Sequence, residues 1–128
     1  MSDDTLVRQR TKYDCGIACV AMALEIPYET AAKIVTIHDG RGAYCCEIAA
    51  DLGRKWGHAR DDAPHSGDIV NVSTSKHQMG GHFVFMVDRL NAYDPHDGEV
   101  RNIDHWVVWD FVKMREAERA SATREDGE

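Results

Sequence analysis

The sequence predicts an α+β domain in which a group of N-terminal helices packs on a C-terminal antiparallel sheet. Apolar residues recur at helical spacing in the first half of the chain, whereas the second half carries short apolar runs separated by turn residues. Helices followed by strands are typical of this class. The length of 128 residues, of which 43% are hydrophobic, fits one domain with its own core. We therefore place a single domain over residues 1–128, with a core from about 7 to 112 and a charged tail over 113–128.

Three helices are predicted in the first half. The apolar stripe of the first helix consists of Ile17, Val20, Ala21 and Leu24. Pro27 ends this helix, because proline cannot continue the hydrogen-bond ladder. A second short helix covers residues 29–35. A third begins near Cys45, includes Trp56 and is closed by Gly57.

The second half is predicted to form short strands. They cover residues 69–72, 82–87, 90–93 and 100–103. The stretch 82–87 (HFVFMV) is apolar on both alternating faces, which indicates a central strand covered on both sides. A tight turn at Asp88-Arg89 would pair it with the next strand. Residues 106–112 anchor a last element, and the charged tail from Lys113 onward is expected to be a frayed helix.

Composition and charge exclude several function classes. Fifteen Lys and Arg against 22 Asp and Glu give a net charge of −7, which disfavours nucleic acids and anionic membrane surfaces as partners. No apolar run reaches the roughly 18–20 residues of a transmembrane helix, so we expect no membrane insertion. The four cysteines lack both the density of a secreted disulfide scaffold and the paired spacing of a zinc site. We therefore predict reduced thiols, a cytoplasmic location, no cofactor and no metal, and the oligomeric state stays open.

The residues around Cys15 have the character of a nucleophilic site. Cys15 stands where the first helix begins, and the backbone dipole there favours a negatively charged thiolate. Gly16 has no side chain, so a substrate backbone could approach the sulfur closely. Gln9 lies six positions earlier, in a segment that could fold back beside the helix start. Its amide could then help the Cys15 backbone N–H to bind a developing oxyanion.

A general base and its orienting acid are predicted in the second half. His82 opens the most apolar strand, and a neutral imidazole there could take the thiol proton and later protonate a leaving amine. Asp94 ends the next strand, directly before Pro95. If the two strands form a hairpin, Asp94 returns to the level of His82 and can fix its tautomer. We also assign Gly81, which precedes His82, to the substrate-binding surface.

Each of these residues alone has an ordinary structural explanation. A cysteine before a helix is often a small buried hydrophobe, a histidine heading a strand is often a hydrogen-bonded structural residue, and Asp before Pro often starts a turn. What favours a catalytic interpretation is their combination in the chain order Gln, Cys, His, Asp.

The same residues carry a resemblance to a known family. Gln9, four residues, and then Asp14-Cys15-Gly16-Ile17-Ala18-Cys19 resemble the bacteriocin-processing peptidases, papain-like cysteine peptidase domains that cleave leader peptides after a double glycine. The small-residue loop of 40–43, Gly81-His82-Phe83-Val84 and Asp94-Pro95 match later blocks of the family. The resemblance covers about residues 7–112. Only eleven residues separate His82 from Asp94, so the hairpin is shorter than in exporter-attached members.

The resemblance implies a papain-like fold and a role for each matched residue. Cys15 would be the nucleophile, His82 the general base, Asp94 the orienting acid and Gln9 the oxyanion donor. The substrate would be a peptide or protein, cleaved after small residues such as Gly-Gly. Two alternatives stay open: a deamidase or acyltransferase on the same scaffold, and a peptide-binding module without turnover.

Overall fold

The computed structural model describes residues 6–11, 14–36, 43–74 and 81–114, and within them the helices precede the strands. The helices are α1 (Cys15–Leu24), α2 (Tyr28–Ile34) and α3 (Cys45–Leu52). The strands are β1 (Lys55–His58), β2 (Ile69–Ser73), β3 (His82–Met86), β4 (Asn91–Asp94), β5 (Glu99–Asn102) and β6 (Val107–Lys113). A short 3-10 helix, Ile103–His105, lies between the last two strands. The α+β class predicted from the sequence is confirmed.

The six strands form one sheet in the order β1-β6-β2-β3-β4-β5. Every pair of neighbours in the sheet is antiparallel. The strands from β2 to β5 follow each other in sequence order, whereas β6 returns across the sheet to pair with β2. The 3-10 helix and Trp106 make this crossing.

The two faces of the sheet are covered by different parts of the chain. On one face, Phe83 and Phe85 of β3 pack in a cluster with the buried side chains of the helices. On the other face, Val84 and Met86 pack in a second cluster that includes Trp106. Alternate residues of β3 therefore face two buried layers, as its apolar sequence predicts.

Helix α1 is the central helix of the first layer. Its first eight residues, Cys15 to Met22, are all buried, so the apolar stripe understates its burial. It ends at Leu24, where Glu25 adopts a left-handed conformation with a φ of 55°, and Pro27 precedes α2. Helix α2 begins one residue earlier than predicted, at Tyr28.

The predicted end of the third helix is wrong. Helix α3 ends at Leu52 because Gly53, with a φ of 66°, adopts the left-handed conformation that closes a helix. Trp56 and Gly57 belong instead to β1, an edge strand that the sequence analysis did not predict. A Cβ atom on Gly57 would lie 2.7 Å from the Phe111 ring, so glycine allows β1 to pack against β6.

The remaining strand predictions agree with the structure within two residues. The hairpin of β3 and β4 forms, and the Asp88 carboxylate accepts the backbone N–H groups of Leu90 and Asn91 in its turn. The last element is a strand that continues to Lys113. The tail beyond Met114 and the small-residue loop at 40–43, apart from Ala43, lie outside the described residues.

Among the described residues, no single helix has both the length and the apolar character needed to cross a membrane. Helices α1 and α2 meet these criteria only when they are taken together, and they are bent by 110° relative to each other.

Candidate active site

Cys15 is the first residue of α1 and lies against the beginning of β3. Its side chain is buried, and the backbone N–H of Phe83 donates to its Sγ at 3.4 Å. The first N–H groups of a helix have no partner inside the helix, and the N–H of Cys15 is one of them. The sulfur therefore lies at the N-terminal end of the helix dipole and accepts a backbone N–H from β3.

His82 joins Cys15 to Asp94. Its Nε2 lies 2.7 Å from Asp94 Oδ1, and its side chain also forms a hydrogen bond with the Cys15 thiol. Continuing the β3–β4 register of Phe85 with Tyr93 places Asp94 opposite Val84, so Asp94 is a diagonal neighbour of His82. Residues two apart on a strand share a face, and the two side chains therefore meet.

The charges of His82 and Asp94 are set by the hydrogen bonds that the two side chains form. Burial alone would lower the pKa of His82, but the hydrogen bonds with Asp94 and Cys15 raise it to about 9. Burial would raise the pKa of Asp94, but the hydrogen bonds from His82 and from the His96 backbone N–H lower it below its usual range. At neutral pH the two side chains therefore form an imidazolium–carboxylate pair.

Gln9 lies beside this pair because its segment is tied to the turn after β4. Its backbone N–H donates to the Pro95 carbonyl at 3.0 Å, and the Arg8 side chain donates to the His96 carbonyl at 3.0 Å. The Gln9 side-chain Nε2 donates to the Thr11 carbonyl at 2.8 Å. Its Oε1 is buried and has no hydrogen-bond partner in the part of the chain that the structure describes.

Asp14 holds the backbone of Arg10 and Thr11, the two residues that follow Gln9, a role that the sequence analysis missed. Its carboxylate accepts the backbone N–H groups of Arg10 at 2.7 Å and Thr11 at 2.8 Å, and the Tyr28 hydroxyl of α2. Burial alone would raise the pKa of Asp14, but these hydrogen bonds lower it. Asp directly before a helix is a readable signal of a capping residue, although here its side chain caps the preceding loop rather than α1.

A second set of polar side chains fixes the start of β3. Asn71 Oδ1 accepts the backbone N–H of Gly81 at 2.8 Å, and Asn71 Nδ2 donates to Asp110 Oδ1 at 2.8 Å. Trp56 donates to the other Asp110 oxygen at 2.9 Å. Gly81 has a φ of 109°, which glycine adopts without strain. The sequence signal was available, since Asn71 and Asp110 are polar residues inside apolar strands.

An ion pair lies next to Asp94 in the hairpin of β4 and β5. Arg101 donates to both oxygens of Asp97, at 3.2 and 2.7 Å, and its Nη1 is 3.9 Å from Asp94 Oδ2. The hydrogen bond from Arg101 is the main cause that lowers the pKa of Asp97. The sequence analysis did not identify this pair.

A cleft of about 470 Å³ opens on the side of the site where His82 and Asp94 lie. Cys15 is not one of its lining residues. The cleft is lined by Gln9, Val72, Ser73, Thr74, Gly81, His82, Asp94, His96, Asp97, Arg101, His105 and Trp106.

The other three cysteines are placed differently from Cys15. Cys19 is fully buried, and burial raises the pKa of its thiol well above the usual value. Burial, together with the nearby Asp110, also raises the pKa of Cys45, whereas Cys46 is exposed. All four cysteines are unpaired. In the described part of the chain, no three His, Cys, Asp or Glu side chains form a group that could hold a metal ion.

The structure thus brings Cys15, His82, Asp94 and Gln9 together, and their catalytic roles stay predictions. Gly81 lines the cleft, and a Cβ atom there would meet no atom of the described residues within 4 Å. Gly16 is buried, and a Cβ atom would lie 3.0 Å from Ile48 and 3.4 Å from Phe83. The core therefore leaves little room for a Cβ atom at position 16, and the contact of Gly16 with a substrate stays a prediction.

Comparison with known proteins adds no relative. Neither a scan against models of known protein families nor a search of the curated proteins finds a match to this chain. The chemistry of the site must be argued from its own residues and their contacts.

Proposed function

We propose that the chain is a cysteine peptidase of papain-like fold, related to the bacteriocin-processing peptidases. The observation that carries the proposal is the position of the His82 ring, which contacts the Cys15 thiol and lies 2.7 Å from Asp94. A nucleophile, a base within hydrogen-bond reach and a third group that orients the base are the parts of a nucleophilic triad.

The proposed reaction uses each of these groups in turn. Cys15 Sγ attacks the substrate carbonyl carbon while His82 holds the proton released by the thiol. The tetrahedral intermediate then collapses, the C–N bond breaks, and His82 gives the proton to the leaving amine. Water, deprotonated by His82, next attacks the thioester and releases the acid product, and the proton returns to the sulfur. Asp94 keeps the ring oriented and stabilises its cation throughout.

Two donors are suited to stabilise the negative oxygen of the intermediate. The Cys15 backbone N–H begins a helix and has no partner inside it. The Gln9 amide nitrogen carries two N–H groups, of which one donates to Thr11. Among the described residues the buried Gln9 Oε1 has no hydrogen-bond partner, and leaving such an atom unpaired costs about 1–3 kcal/mol. Such a cost is typical of side chains held in place for function.

The burial of Cys15 supports a preference for small residues before the scissile bond. Only 6% of Cys15 is exposed, so little of the residue is open to an approaching substrate carbonyl. Residues without branched side chains, such as Gly-Gly, fit this access best. We propose a peptide or protein substrate in the cytoplasm, where the four unpaired cysteines would remain reduced.

Peptide-library profiling with intact-mass detection tests this function. Wild-type protein should release C-terminal fragments and carry a transient acyl adduct on Cys15, with faster cleavage after Gly-Gly than after Leu or Phe. Cys15→Ala should do neither, whereas Cys46→Ser, the exposed-cysteine control, should behave like wild type.

Other outcomes would reject the proposal in different ways. Conversion of side-chain amides to acids without cleavage would indicate a deamidase. Transfer of the acyl group to an added amine without any hydrolysis would indicate an acyltransferase. Peptide binding with no adduct on Cys15 would indicate a binding module.

A further inference from the structure

We propose that the cleft beside His82 binds the segment of the peptide that follows the scissile bond, and that it favours an uncharged segment. This inference rests on the proposed function and adds a substrate-binding site to it. The cleft residues that would carry this role without taking part in the chemistry are Thr74, His105 and Trp106.

The direction in which the leaving group departs follows from the orientation of His82. Its Nε2 is engaged by Asp94, so Nδ1 is the nitrogen that can serve Cys15 and the leaving amine. The chain that follows the scissile nitrogen must therefore pass the His82 ring. The cleft opens at this place, since His82, Gly81 and Gln9 line it and Cys15 does not.

The size of the cleft suits a short stretch of peptide. Its volume of about 470 Å³ lies within the roughly 300–1,000 Å³ of ordinary ligand sites. One wall is made by His105 and Trp106, whose rings meet edge to face with centroids 4.9 Å apart. Gly81 also lines the cleft, and a Cβ atom there would lie within 4 Å of no described residue.

The charges in the cleft wall favour an uncharged segment. The Asp94 carboxylate is engaged by His82, and the Asp97 carboxylate is engaged by both terminal nitrogens of Arg101. Each carboxylate is thus paired with a cation, the His82 imidazolium or the Arg101 guanidinium. A charged side chain of either sign in the substrate would approach a like charge and gain little from groups that are already paired.

The test compares leaving groups of increasing length on one acyl part. The substrates share a Gly-Gly acyl group, which is joined to a small arylamine, to one uncharged residue or to three uncharged residues. We expect kcat/KM of the wild type to rise about 10-fold or more from the arylamine to the longest segment, the effect of one well-filled pocket. Three acidic residues in place of the uncharged ones should abolish most of this rise.

A variant that fills the cleft provides the critical comparison. Thr74 is exposed and lines the cleft, so Thr74→Trp should reduce the ratio of kcat/KM on the longest substrate to kcat/KM on the arylamine substrate to about 1. Leu90→Trp is the matched control, because Leu90 is 63% exposed and lies outside the cleft. His105→Ala should weaken the gain without filling the space.

A binding measurement separates failure of the cleft from failure of the proposed function. Free tripeptides with an unblocked N-terminus are titrated into Cys15→Ala protein by calorimetry, and Thr74→Trp in the same background should lose this binding.

Binding that Thr74→Trp removes would support the cleft even if no acyl adduct formed on Cys15. Acylation of Cys15 without dependence on leaving-group length, or an equal effect of Leu90→Trp, would overturn the cleft and leave the proposed function standing. Absence of both acylation and binding would overturn both.

Discussion

His82 connects the two halves of the site, because its ring meets a side chain from the helical layer and one from the sheet. Its neighbours in sequence explain how it is held. The Gly81 N–H is bound by Asn71, and the Phe83 N–H donates to the Cys15 sulfur. The backbone on both sides of His82 is therefore fixed, and the side chain needs only the contact with Asp94 to be oriented. The raised pKa of His82 follows from this contact and from the hydrogen bond with Cys15.

The stability of the protein should depend on pH through His82. Its pKa is raised from 6.5 to about 9 in the folded protein, so its stabilising contribution is complete below about pH 6.5 and is lost as the pH rises through 9. We expect the free energy of unfolding to fall by on the order of 1–3 kcal/mol over this interval. Urea unfolding at pH 6 and pH 9.5 measures the change.

The Asp94→Asn variant is the control for this prediction. Without the carboxylate, the pKa of His82 should move back toward its ordinary value, and the fall in stability above pH 6.5 should shrink. An equal fall in both proteins would assign the pH dependence to other groups.

At the scale of elements, the site depends on how residues 9–11, Asp14 and α1 are held by α2 and α3. Asp14 links the segment to Tyr28 of α2, and Arg10 stacks over the Tyr28 ring with its guanidinium carbon 3.9 Å from the ring centroid. Gly16 lets α1 approach Ile48 of α3. The contact of Asp14 with Tyr28 and that of Gly16 with Ile48 therefore fix the position of Cys15 at the start of α1.

Removing the hydroxyl of Tyr28 should loosen the segment that carries Gln9. Tyr28→Phe keeps the ring under Arg10 but removes a hydrogen bond to a charged group, which contributes about 1.5–3 kcal/mol. We expect a loss of stability of this size, measured by urea unfolding, together with a lower kcat on a Gly-Gly substrate.

The matched control for Tyr28→Phe lies one residue away. Glu29→Gln breaks an exposed ion pair with Arg10, and such pairs contribute only about 0–1 kcal/mol. Equal losses in the two variants would show that the link from Tyr28 to Asp14 has no special role.

Gly16→Ala should destabilise the contact between α1 and α3. The new methyl group would lie 3.0 Å from Ile48 Cδ1, and overpacking of this kind costs about 1–3 kcal/mol. Ile48→Val removes the carbon that it meets, so the double variant should recover part of the loss in melting temperature. If activity on peptide substrates were lost without any change in stability, the predicted contact of Gly16 with the substrate would be favoured instead.

At the scale of the whole molecule, the sequence predicted the central helix and the central strand better than the end of α3 and the edge strand β1. The helical stripe of α1 and the two-faced apolar run of β3 concern central elements, whose periodicity is strong. The error at α3 arose because Trp56 continued the apolar spacing, while Gly53 ended the helix earlier through its left-handed conformation. Strand β1 has only four residues and three of them are at least partly exposed, so its pattern gave little signal.

The residues of the site differ in the same way in how far the sequence predicts them. Residue type and chain order identify the proposed reacting residues, whereas the residues that hold them depend on long-range contacts. Chain order and residue type indicated Cys15, His82, Asp94 and Gln9. The roles of Asp14, Asn71 and Arg101 depend on partners that are distant in sequence or on the other side of a turn. The exact pairing of β3 with β4 determines whether Asp94 faces His82 directly or diagonally, and only the three-dimensional register supplies it.

The rate of Cys15 alkylation, with and without His82, tests the central claim most directly. Cys46 is exposed and lies in the same molecule, so it serves as the internal reference thiol. Limited iodoacetamide treatment at neutral pH, followed by peptide mass mapping, should modify Cys15 ahead of Cys46 in the wild type. In His82→Ala the Cys15 rate should fall about 10-fold or more, because a paired base is what activates the nucleophile. The Cys46 rate should not change. Faster modification of Cys46 in the wild type, or an unchanged Cys15 rate in His82→Ala, would contradict a nucleophile activated by His82.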